Sequence, residues 1–393
     1  MFIRWIKIIK LLFNYRKYDY KVIEKEVGEL HGMPQKVGQH LNFYLNSDQD
    51  LRQVYFSGTL EDIQVQLYLN KLGLIAKEII PVAQASIGQV YCVKTDLKAY
   101  AVKIKYPNIE RRLRNDFRLL YGMVILTRLL PLRHNPITVI LQNIKNDVLK
   151  ECNYLAEAQA QLEFNRAFSK IENINIPEVY LQFSNAEMVV SDWVEGQFLN
   201  EYLENANSEN RDKVFDLFFR FELMSLLKYG LVHTDPHPGN FLVQENDGRV
   251  KLNVLDFGSV TRMESQDRVV LRNLLQGQYE DIGALKADLR QVGFEEDVLD
   301  VYKDILGDIL VILLEPFYSI GAYSFSQWRL QYKMNTLMAS KEWEKPFRLP
   351  TQLLRVARML QGLYYYARKY DINYDWNGGL QKILTMEEGK VYE

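Results

Sequence analysis

Apolar and polar positions follow a helical pattern at the start of this chain and a strand pattern after it. Helical spacing runs through residues 18–75, where Thr59–Leu72 opens on a sequence like a capping box, with Thr59 three residues before Asp62. From Ile79 onward the apolar positions recur at every second residue, as in strands with one buried face. The predicted strands are Ile79–Val82, Val90–Lys94 and Tyr100–Lys105, and a turn at residues 95–98 joins the last two.

Helical periodicity returns after these strands and dominates the rest of the chain. It predicts helices at Asn108–Leu130 and Ile137–Ile171, separated by Pro131 and Pro136. The other predicted elements are strands at Ile176–Phe183 and Met188–Trp193, and helices at Arg268–Gln278, Ile282–Val292, Glu295–Leu314 and Leu349–Tyr370. The pattern predicts an α+β protein in which a small lobe with strands precedes a mostly helical lobe, with a boundary at residues 195–196.

Length and composition limit the fold and exclude some functions. A chain of 393 residues is too long for one hydrophobic core, and its 48% hydrophobic and 25% charged residues are ordinary for a globular protein. A net charge of −2 gives no overall field that recruits nucleic acid. The two cysteines, Cys92 and Cys152, form neither a disulfide framework nor a CxxC metal motif. We therefore expect a cytoplasmic protein, with peripheral attachment to a membrane as an open alternative, and no nucleic acid partner.

The strongest chemical signal is a pair of motifs on either side of a predicted hairpin. Residues 233–240 read HTDPHPGN and residues 256–258 read DFG. The apolar runs between them predict two short strands around a turn at residues 246–248, which is expected to bring Asn240 and Asp256 together. Asp235 can orient or deprotonate a hydroxyl, and Asn240 with Asp256 can hold magnesium against phosphates. The order and spacing of the motifs favour this interpretation over an ordinary surface hairpin.

A lysine on the last strand of the first sheet is a candidate ligand for phosphate. In the segment AVKIK, Val102 and Ile104 are expected to face one side of the strand, and Lys103 and Lys105 the other. A lysine there can neutralise nucleotide phosphates if a carboxylate holds it in place. The alternative, that both lysines lie on the solvated face of the strand, stays open from the motif alone.

Two further segments have more than one interpretation. Residues 1–17 predict a helix with a basic stripe and a broad apolar face, which either lies on anionic lipid or packs on the rest of the protein. No apolar run in the chain is long enough to span a bilayer. Near the other end, Tyr364–Tyr366 with Arg355, Arg358 and Arg368 indicate either a groove for lipid or a partner, or a packed aromatic face with solvated charges.

The loop between the first two strands differs from that of ordinary protein kinases. Residues 81–90 read PVAQASIGQV, so small residues and one glycine stand where such a kinase has a glycine-rich loop. This loop, KVGQ at 36–39, AVK at 101–103, the ExxYxxEA pattern from Glu151, HTDPHPGN and DFG occur in an order that resembles the UbiB-type, aarF-domain-containing atypical kinases. The resemblance implies a two-lobed protein-kinase-like fold with a small β-rich N-lobe and a mostly helical C-lobe.

The resemblance also implies a role for each motif. Lys103 is the phosphate lysine and Glu157 its ion-pair partner, Asp235 is the catalytic-loop aspartate, and Asn240 and Asp256 bind magnesium; Ala83, Ala85 and Ser86 line the nucleotide, which is ATP or ADP. In this family the KxGQ motif, here with Lys36 and Gln39, and an ExD element, which begins at Glu151, occupy the space of a protein substrate. The last residue of that element is Asn153 here, an amide in place of the carboxylate.

By this resemblance the chain divides into a helical extension at residues 1–75, an N-lobe at 76–195 and a C-lobe at 196–393. The implied function is an atypical kinase or ATPase that supports isoprenoid-quinone or other lipid metabolism at a membrane surface. Its implied partners are nucleotide, a lipid or membrane surface, and other proteins or a second copy of the chain. Two alternatives stay open: a small-molecule phosphotransferase, and a scaffold that binds nucleotide without turnover.

If the first helix lies on lipid, a chain lacking residues 1–17 should no longer sediment with anionic liposomes, because the apolar and basic contacts with the membrane are lost. Its affinity for nucleotide should not change. Liposome sedimentation and nucleotide titration of the two chains test this, and undiminished sedimentation of the truncated chain would refute it.

Overall fold

The structure, a computed structural model, describes residues 62–71, 73–84, 87–128, 142, 145–146, 148–279, 281–339 and 349–386. The predicted helix at residues 1–17, the motif with Lys36 and Gln39, and the loop residues Ala85 and Ser86 lie outside the described residues. What is described forms two compact units, the first running up to Leu162 and including Glu178–Val194, the second comprising Glu163–Pro177 and the chain from Glu195 onward. The domain limits at 75/76 and 195/196 stay predictions.

Strands and helices follow the α+β pattern. The strands are β1 (Glu78–Gln84), β2 (Gly88–Lys94), β3 (Ala99–Lys105), β4 (Ile174–Asn175), β5 (Met188–Asp192), β6 (Gln197–Phe198), β7 (Leu231–His233), β8 (Phe241–Asn246), β9 (Arg249–Val254) and β10 (Val260–Arg262). The helices are α1 (Asp62–Lys71), α2 (Ile109–Arg128), α3 (Tyr154–Phe168), α4 (Leu199–Asn205), α5 (Ser208–Met224), α6 (Ser265–Gln276), α7 (Ile282–Gln291), α8 (Glu296–Tyr302), α9 (Leu306–Leu313), α10 (Glu315–Tyr318), α11 (Leu330–Met338), α12 (Thr351–Lys369) and α13 (Trp376–Thr385). The predicted small β-rich part and mostly helical part are confirmed.

The first unit is built on an antiparallel sheet in the order β1–β2–β3–β5. Alternation along β3 buries Val102 and Ile104 completely, and they pair across the sheet with Val190 and Met188 of β5. The same core takes in residues of α1 and α2, including Leu69 and Phe117. The strands predicted at Ile79–Val82, Val90–Lys94, Tyr100–Lys105 and Met188–Trp193 are therefore present in this unit.

Two elements of this region differ from the sequence prediction. The strand predicted at Ile176–Phe183 is absent apart from an isolated bridge at Val179, and Leu181–Phe183 forms a 3₁₀ turn. Pro177, which has no backbone N–H, interrupts the pairing that β4 begins. The helix predicted across Ile137–Ile171 is also interrupted at residues 152–153, where a new helix, α3, starts.

The second unit has its core around α5. Three phenylalanines of this helix point to different neighbours: Phe218 contacts the rings of Phe241 and Tyr366, and Phe219 packs on Trp376 of α13. Phe221 contacts the imidazole of His233 on β7. The sheet β4–β9–β8–β6 and the pair β10–β7 lie in this unit. The helix therefore supports the strand and loop that carry the HTDPHPGN motif.

The core of this unit encloses a carboxyl group. Glu222 of α5 is 1% exposed, and neither carboxylate oxygen has a hydrogen-bond partner among the described residues. Burial, together with the neighbouring charge of Asp235, raises the pKa of Glu222 well above its ordinary value of 4.5. The side chain is therefore neutral in the folded protein at pH values where it is ionised in the unfolded chain.

We expect Glu222→Gln to stabilise the protein at neutral pH. Because the folded-state pKa is raised, Glu222 costs no stability below pH 4.5 and an increasing amount above it, until the pH passes the folded-state pKa. The gain in free energy of unfolding from the substitution should grow by roughly 1 kcal/mol per pH unit in that window. Urea unfolding between acid and neutral pH measures it, with the exposed Glu201→Gln as control; a gain independent of pH would contradict the assignment.

Candidate functional site

The HTDPHPGN loop is folded by the side chain of Asn240. Residues Pro238–Asn240 form a 3₁₀ turn after β7, and the Asn240 N–H donates to the carbonyl of His237 at 3.0 Å. The Asn240 Nδ2 group donates both to the backbone oxygen and to Oδ2 of Asp235, each at 3.0 Å. One amide thus fixes both the main chain and the side chain of Asp235.

The hairpin β8–β9 brings Asn240 next to the DFG segment, as the sequence predicts. Its strands pair from Phe241 and Val254 at the open end to Asn246 and Arg249 at the tip. At the tip, Asp247 and Gly248 have φ of 50° and 74°, the left-handed conformation of a two-residue hairpin turn. Beyond the open end, the N–H of Leu255 donates to the carbonyl of Asn240 at 2.9 Å. Asn240 and Asp256 are therefore neighbours across the hairpin.

A buried histidine joins the two motifs. His233 Nε2 lies 2.6 Å from the backbone oxygen of Asp256, and since that oxygen can only accept, Nε2 carries the proton. The ring is fully buried and contacts Phe164, Phe241 and Phe257. Burial lowers the pKa of His233 below its ordinary value, so the imidazole is neutral. This bond fixes the backbone of Asp256 to β7, the strand that precedes the loop.

The segment after DFG is paired with the strand before the loop. Thr234 donates its N–H to the carbonyl of Ser259 at 2.9 Å, and the two hydroxyls lie 2.7 Å apart. Next to this contact, β10 pairs with β7 through Val260 and His233. The Asp256 carboxylate is itself oriented by a bond from the N–H of Gly258 to Oδ1 at 2.8 Å.

In the first unit, Lys103 and Glu157 form an ion pair. Lys103 Nζ lies 2.7 Å from Glu157 Oε1, with the lysine side chain 16% exposed and the glutamate 3%. The ammonium also lies 5.1 Å from the centre of the Tyr154 ring, within reach of a cation–π interaction. Lys103 is therefore not a solvated surface lysine, although its role toward phosphate stays a prediction.

The neighbouring Lys105 has a different environment. It is buried, donates to the carbonyls of Cys152 and Ala186 at 3.1 and 2.8 Å, and lies 3.4 Å from a carboxylate oxygen of Glu187. All these contacts tie the strand to the two segments beside it. Lys105 is thus a structural lysine, and the solvated-face interpretation of the AVKIK strand is wrong for both lysines.

The small-residue loop is described only in part, since Ala85 and Ser86 lie outside the described residues. Ala83 is exposed near the end of β1, whose pairing with β2 shifts register between Pro81 and Ala83. Gly88 sits where an added Cβ would lie 2.4 Å from the Ile104 carbonyl oxygen and from the Tyr154 hydroxyl, so only glycine fits there.

The Glu151 and Asn153 positions of the ExD element have distinct surroundings. Glu151 is half-buried in the helical residues 148–151, before the break, whereas the carboxylate 2.7 Å from Lys103 belongs to Glu157 in the next helix. The Asn153 side chain accepts from the N–H of Ala156 at 3.2 Å, which is the N-cap interaction for α3. Asparagine and aspartate cap helices equally well, so the amide at this place keeps the start of α3 intact.

The donor atoms around the hairpin suit a hard cation. The Nδ2 group of Asn240 donates to Asp235, so the amide oxygen is the atom that can ligate a metal. Asp256 adds a carboxylate. Mg²⁺ prefers oxygen ligands of this kind. Among the described residues no group of three or more His, Cys, Asp or Glu side chains could hold a metal by itself. Phosphate oxygens and water would have to complete the shell, as is usual for Mg²⁺.

Sequence reasoning missed the contribution of α12. Its Arg358 Nη2 lies 3.6 Å from Asp235 Oδ1, and its Tyr366 hydroxyl donates to the carbonyl of Pro236 at 2.9 Å. The packed-face interpretation holds for Tyr366, which is buried, but Arg358 is not a solvated charge. A helical spacing of arginine and tyrosine gives no signal of which distant loop the helix will meet.

Comparison with known proteins identifies the family and the fold. A family model described as ABC1 atypical kinase-like domain matches residues 76–282, more than half of the chain. A solved structure of Rv3197 in complex with erythromycin, from Mycobacterium tuberculosis, has the same fold, with a TM-score of 0.58 at 21% identity, covering 96% of this chain and 98% of that one. Within the described residues, no helix combines the length and apolar character needed to cross a membrane.

Three curated relatives come from different organisms. The chain is 29% identical over 299 residues to Protein ACTIVITY OF BC1 COMPLEX KINASE 3, chloroplastic, of Arabidopsis thaliana, covering 73% of this chain and 40% of that protein. It is 24% identical to the probable serine/threonine-protein kinase abkA of Dictyostelium discoideum (75% and 55% covered) and 23% identical to the atypical kinase coq-8, mitochondrial, of Caenorhabditis elegans (74% and 39%). The chain therefore spans at most 55% of the length of these three relatives. The family match, the fold and the relatives agree, and the chain belongs to the ABC1 atypical kinase-like family, which includes the UbiB and aarF-domain kinases.

Proposed function

We propose that the protein binds Mg-ATP and transfers or hydrolyses its terminal phosphoryl group. Two sets of hydrogen bonds carry this proposal. The Asn240 amide donates to the backbone oxygen and to Oδ2 of Asp235, and the N–H of Leu255 donates to the Asn240 carbonyl, which holds Asn240 beside Asp256. In this arrangement Asn240 and Asp256 would ligate magnesium, which when bound offsets the charge on the phosphates. Asp235 would orient the attacking water or hydroxyl.

The position of Asp235 supports a role in orienting the attacking group. Its Oδ2 already accepts from Asn240, so one oxygen of the carboxylate is held in place before an acceptor arrives. Fixed geometry of this kind lowers the entropic part of the barrier, because the hydroxyl does not have to be aligned anew in each encounter. Burial raises the pKa of the neighbouring Glu222 and lowers that of His233, which disfavours the charged form of each.

Lys103 and Glu157 support binding of the nucleotide phosphates. A lysine ammonium is a mobile point charge, and a buried carboxylate 2.7 Å away restrains it on β3. The pair exposes little of the ammonium to water, which strengthens its interaction with an anion. We propose that Lys103 contacts the α and β phosphates, with Ala83, Ala85 and Ser86 covering them.

The cellular role proposed here is support of isoprenoid-quinone or other lipid metabolism at a membrane surface. It draws on the family and on the relative named coq-8. The segment with Lys36 and Gln39 would suppress phosphorylation of proteins by occupying their place, so the acceptor would be water or a small hydroxyl-bearing molecule.

Substitution of the two aspartates tests turnover. Asp235→Asn should lower phosphate release from Mg-ATP by about 100-fold or more while leaving nucleotide affinity nearly unchanged, since it removes the orienting carboxylate only. Asp256→Asn should weaken both, because it removes a metal ligand. Phosphate release with and without anionic liposomes, and calorimetric titration with Mg-ATP, measure the two effects.

The matched control is Asp247→Asn, the same exchange at the exposed tip of the same hairpin, where asparagine tolerates the left-handed backbone. Tight Mg-ATP binding without release under any lipid condition would refute turnover and leave the nucleotide-binding scaffold. Labelled phosphate on a soluble metabolite would instead identify a small-molecule phosphotransferase.

Loss of the glutamate partner tests the role of Lys103. We expect Glu157→Gln to weaken Mg-ATP binding by about tenfold, or about 1.4 kcal/mol, because the ammonium is no longer restrained by a charge. Glu163→Gln on the same helix is the control, since Glu163 pairs with Arg262 instead. Equal affinities of the Glu157→Gln and wild-type proteins would show that the pair is structural.

A further inference from the structure

One face of α12 lies on the loop that carries Asp235. Arg355, Arg358, Gly362 and Tyr366 are spaced by three, four and four residues, so they form a single stripe along the helix. Every member of the stripe meets the loop or the strand pair beside it. The contact therefore extends over three turns of the helix.

The C-terminal half of the stripe, Gly362 and Tyr366, holds the main chain next to Asp235. Tyr366 donates its hydroxyl to the Pro236 carbonyl at 2.9 Å. At Gly362 an added Cβ would lie 2.2 Å from Cβ of Pro236, so the absence of a side chain lets helix and loop touch. Since proline has a fixed φ, these two contacts leave the backbone after Asp235 little freedom.

The N-terminal half of the stripe, Arg355 and Arg358, supplies positive charge. Arg355 donates to the hydroxyl of Thr261 on β10, the strand that pairs with β7. Arg358 lies 3.6 Å from Asp235 Oδ1, and the two side chains are 21% and 29% exposed, so the pair is partly withdrawn from water. Asn240 binds the other carboxylate oxygen at 3.0 Å. The two oxygens of Asp235 thus face an amide on one side and a guanidinium on the other.

We infer that Arg358 is a positioning residue for Asp235, and that α12 sets the reactive geometry of the loop from outside it. This inference rests on the proposed function in so far as Asp235 orients the acceptor. A carboxylate held at one oxygen can still rotate about its Cβ–Cγ bond, whereas contacts at both oxygens fix its plane. Arg358 contacts Asp235, the residue proposed to orient the acceptor, so its effect should be on turnover rather than on binding.

Kinetics of Arg358 variants test the inference. Arg358→Gln should lower kcat for ATP hydrolysis about tenfold or more with KM for ATP changed less than about twofold, because transition-state alignment alone is lost. Arg358→Lys, which keeps the charge, should recover part of the loss. Arg368→Gln, an exposed arginine on the same helix, is the matched control and should behave as wild type. Unchanged kcat in Arg358→Gln, or equal losses in Arg368→Gln, would overturn the inference.

A second readout does not depend on turnover. Amide hydrogen exchange of residues 231–240, measured without nucleotide, should be faster in Arg358→Gln than in wild type, and the same substitution should add little in an Asp235→Asn background, since its partner is already altered. An equal acceleration in both backgrounds would show that Arg358 acts elsewhere and would overturn the inference.

If the wild-type protein releases no phosphate, the proposed function fails, while the exchange experiment still decides the role of Arg358. Arg358→Met, of similar length, replaces Arg358→Gln if the latter does not fold.

Discussion

The bond from the His233 imidazole to the Asp256 carbonyl is the contact on which the arrangement of the second unit depends. The bond requires a proton on Nε2, and burial among phenylalanines favours the neutral form of the ring. The strand before the loop and the segment after the hairpin are thereby fixed to each other. Asn240 then needs only short local bonds to place Asp235 and Asp256 as neighbours.

Charge is distributed in this unit by the degree of burial. The two titratable groups deepest in the core, Glu222 and His233, are kept neutral by desolvation. The half-buried Asp235 has a cationic neighbour in Arg358 and an amide in Asn240. Burial thus favours the neutral forms of Glu222 and His233, whereas Asp235 and Arg358 lie where water can reach them.

Much of the fold and of the candidate site follows from local sequence. Alternation of Val102 and Ile104 predicted the central strand, and the Asp247–Gly248 turn predicted a hairpin that places Asn240 beside Asp256. Contacts between distant segments could not be obtained this way. The prediction of a strand at residues 176–183 was wrong because Pro177 breaks the pairing, although the residues of this segment favour strands. Arg358 was missed because it lies 123 positions after Asp235 in the chain. No periodicity in the sequence encodes how the segment between them packs.

Lys105 removes an ambiguity that the sequence of β3 creates. The run AVKIK repeats apolar and lysine positions with period two, so sliding the strand by two residues would keep the buried face buried and would exchange one lysine for the other. The ammonium of Lys105 donates hydrogen bonds to the carbonyls of Cys152 and Ala186, which belong to two different segments of the chain. A slip that moved Lys105 to the place of Lys103 would leave those carbonyls without their donor. The buried lysine therefore selects the register that leaves Lys103 beside Glu157.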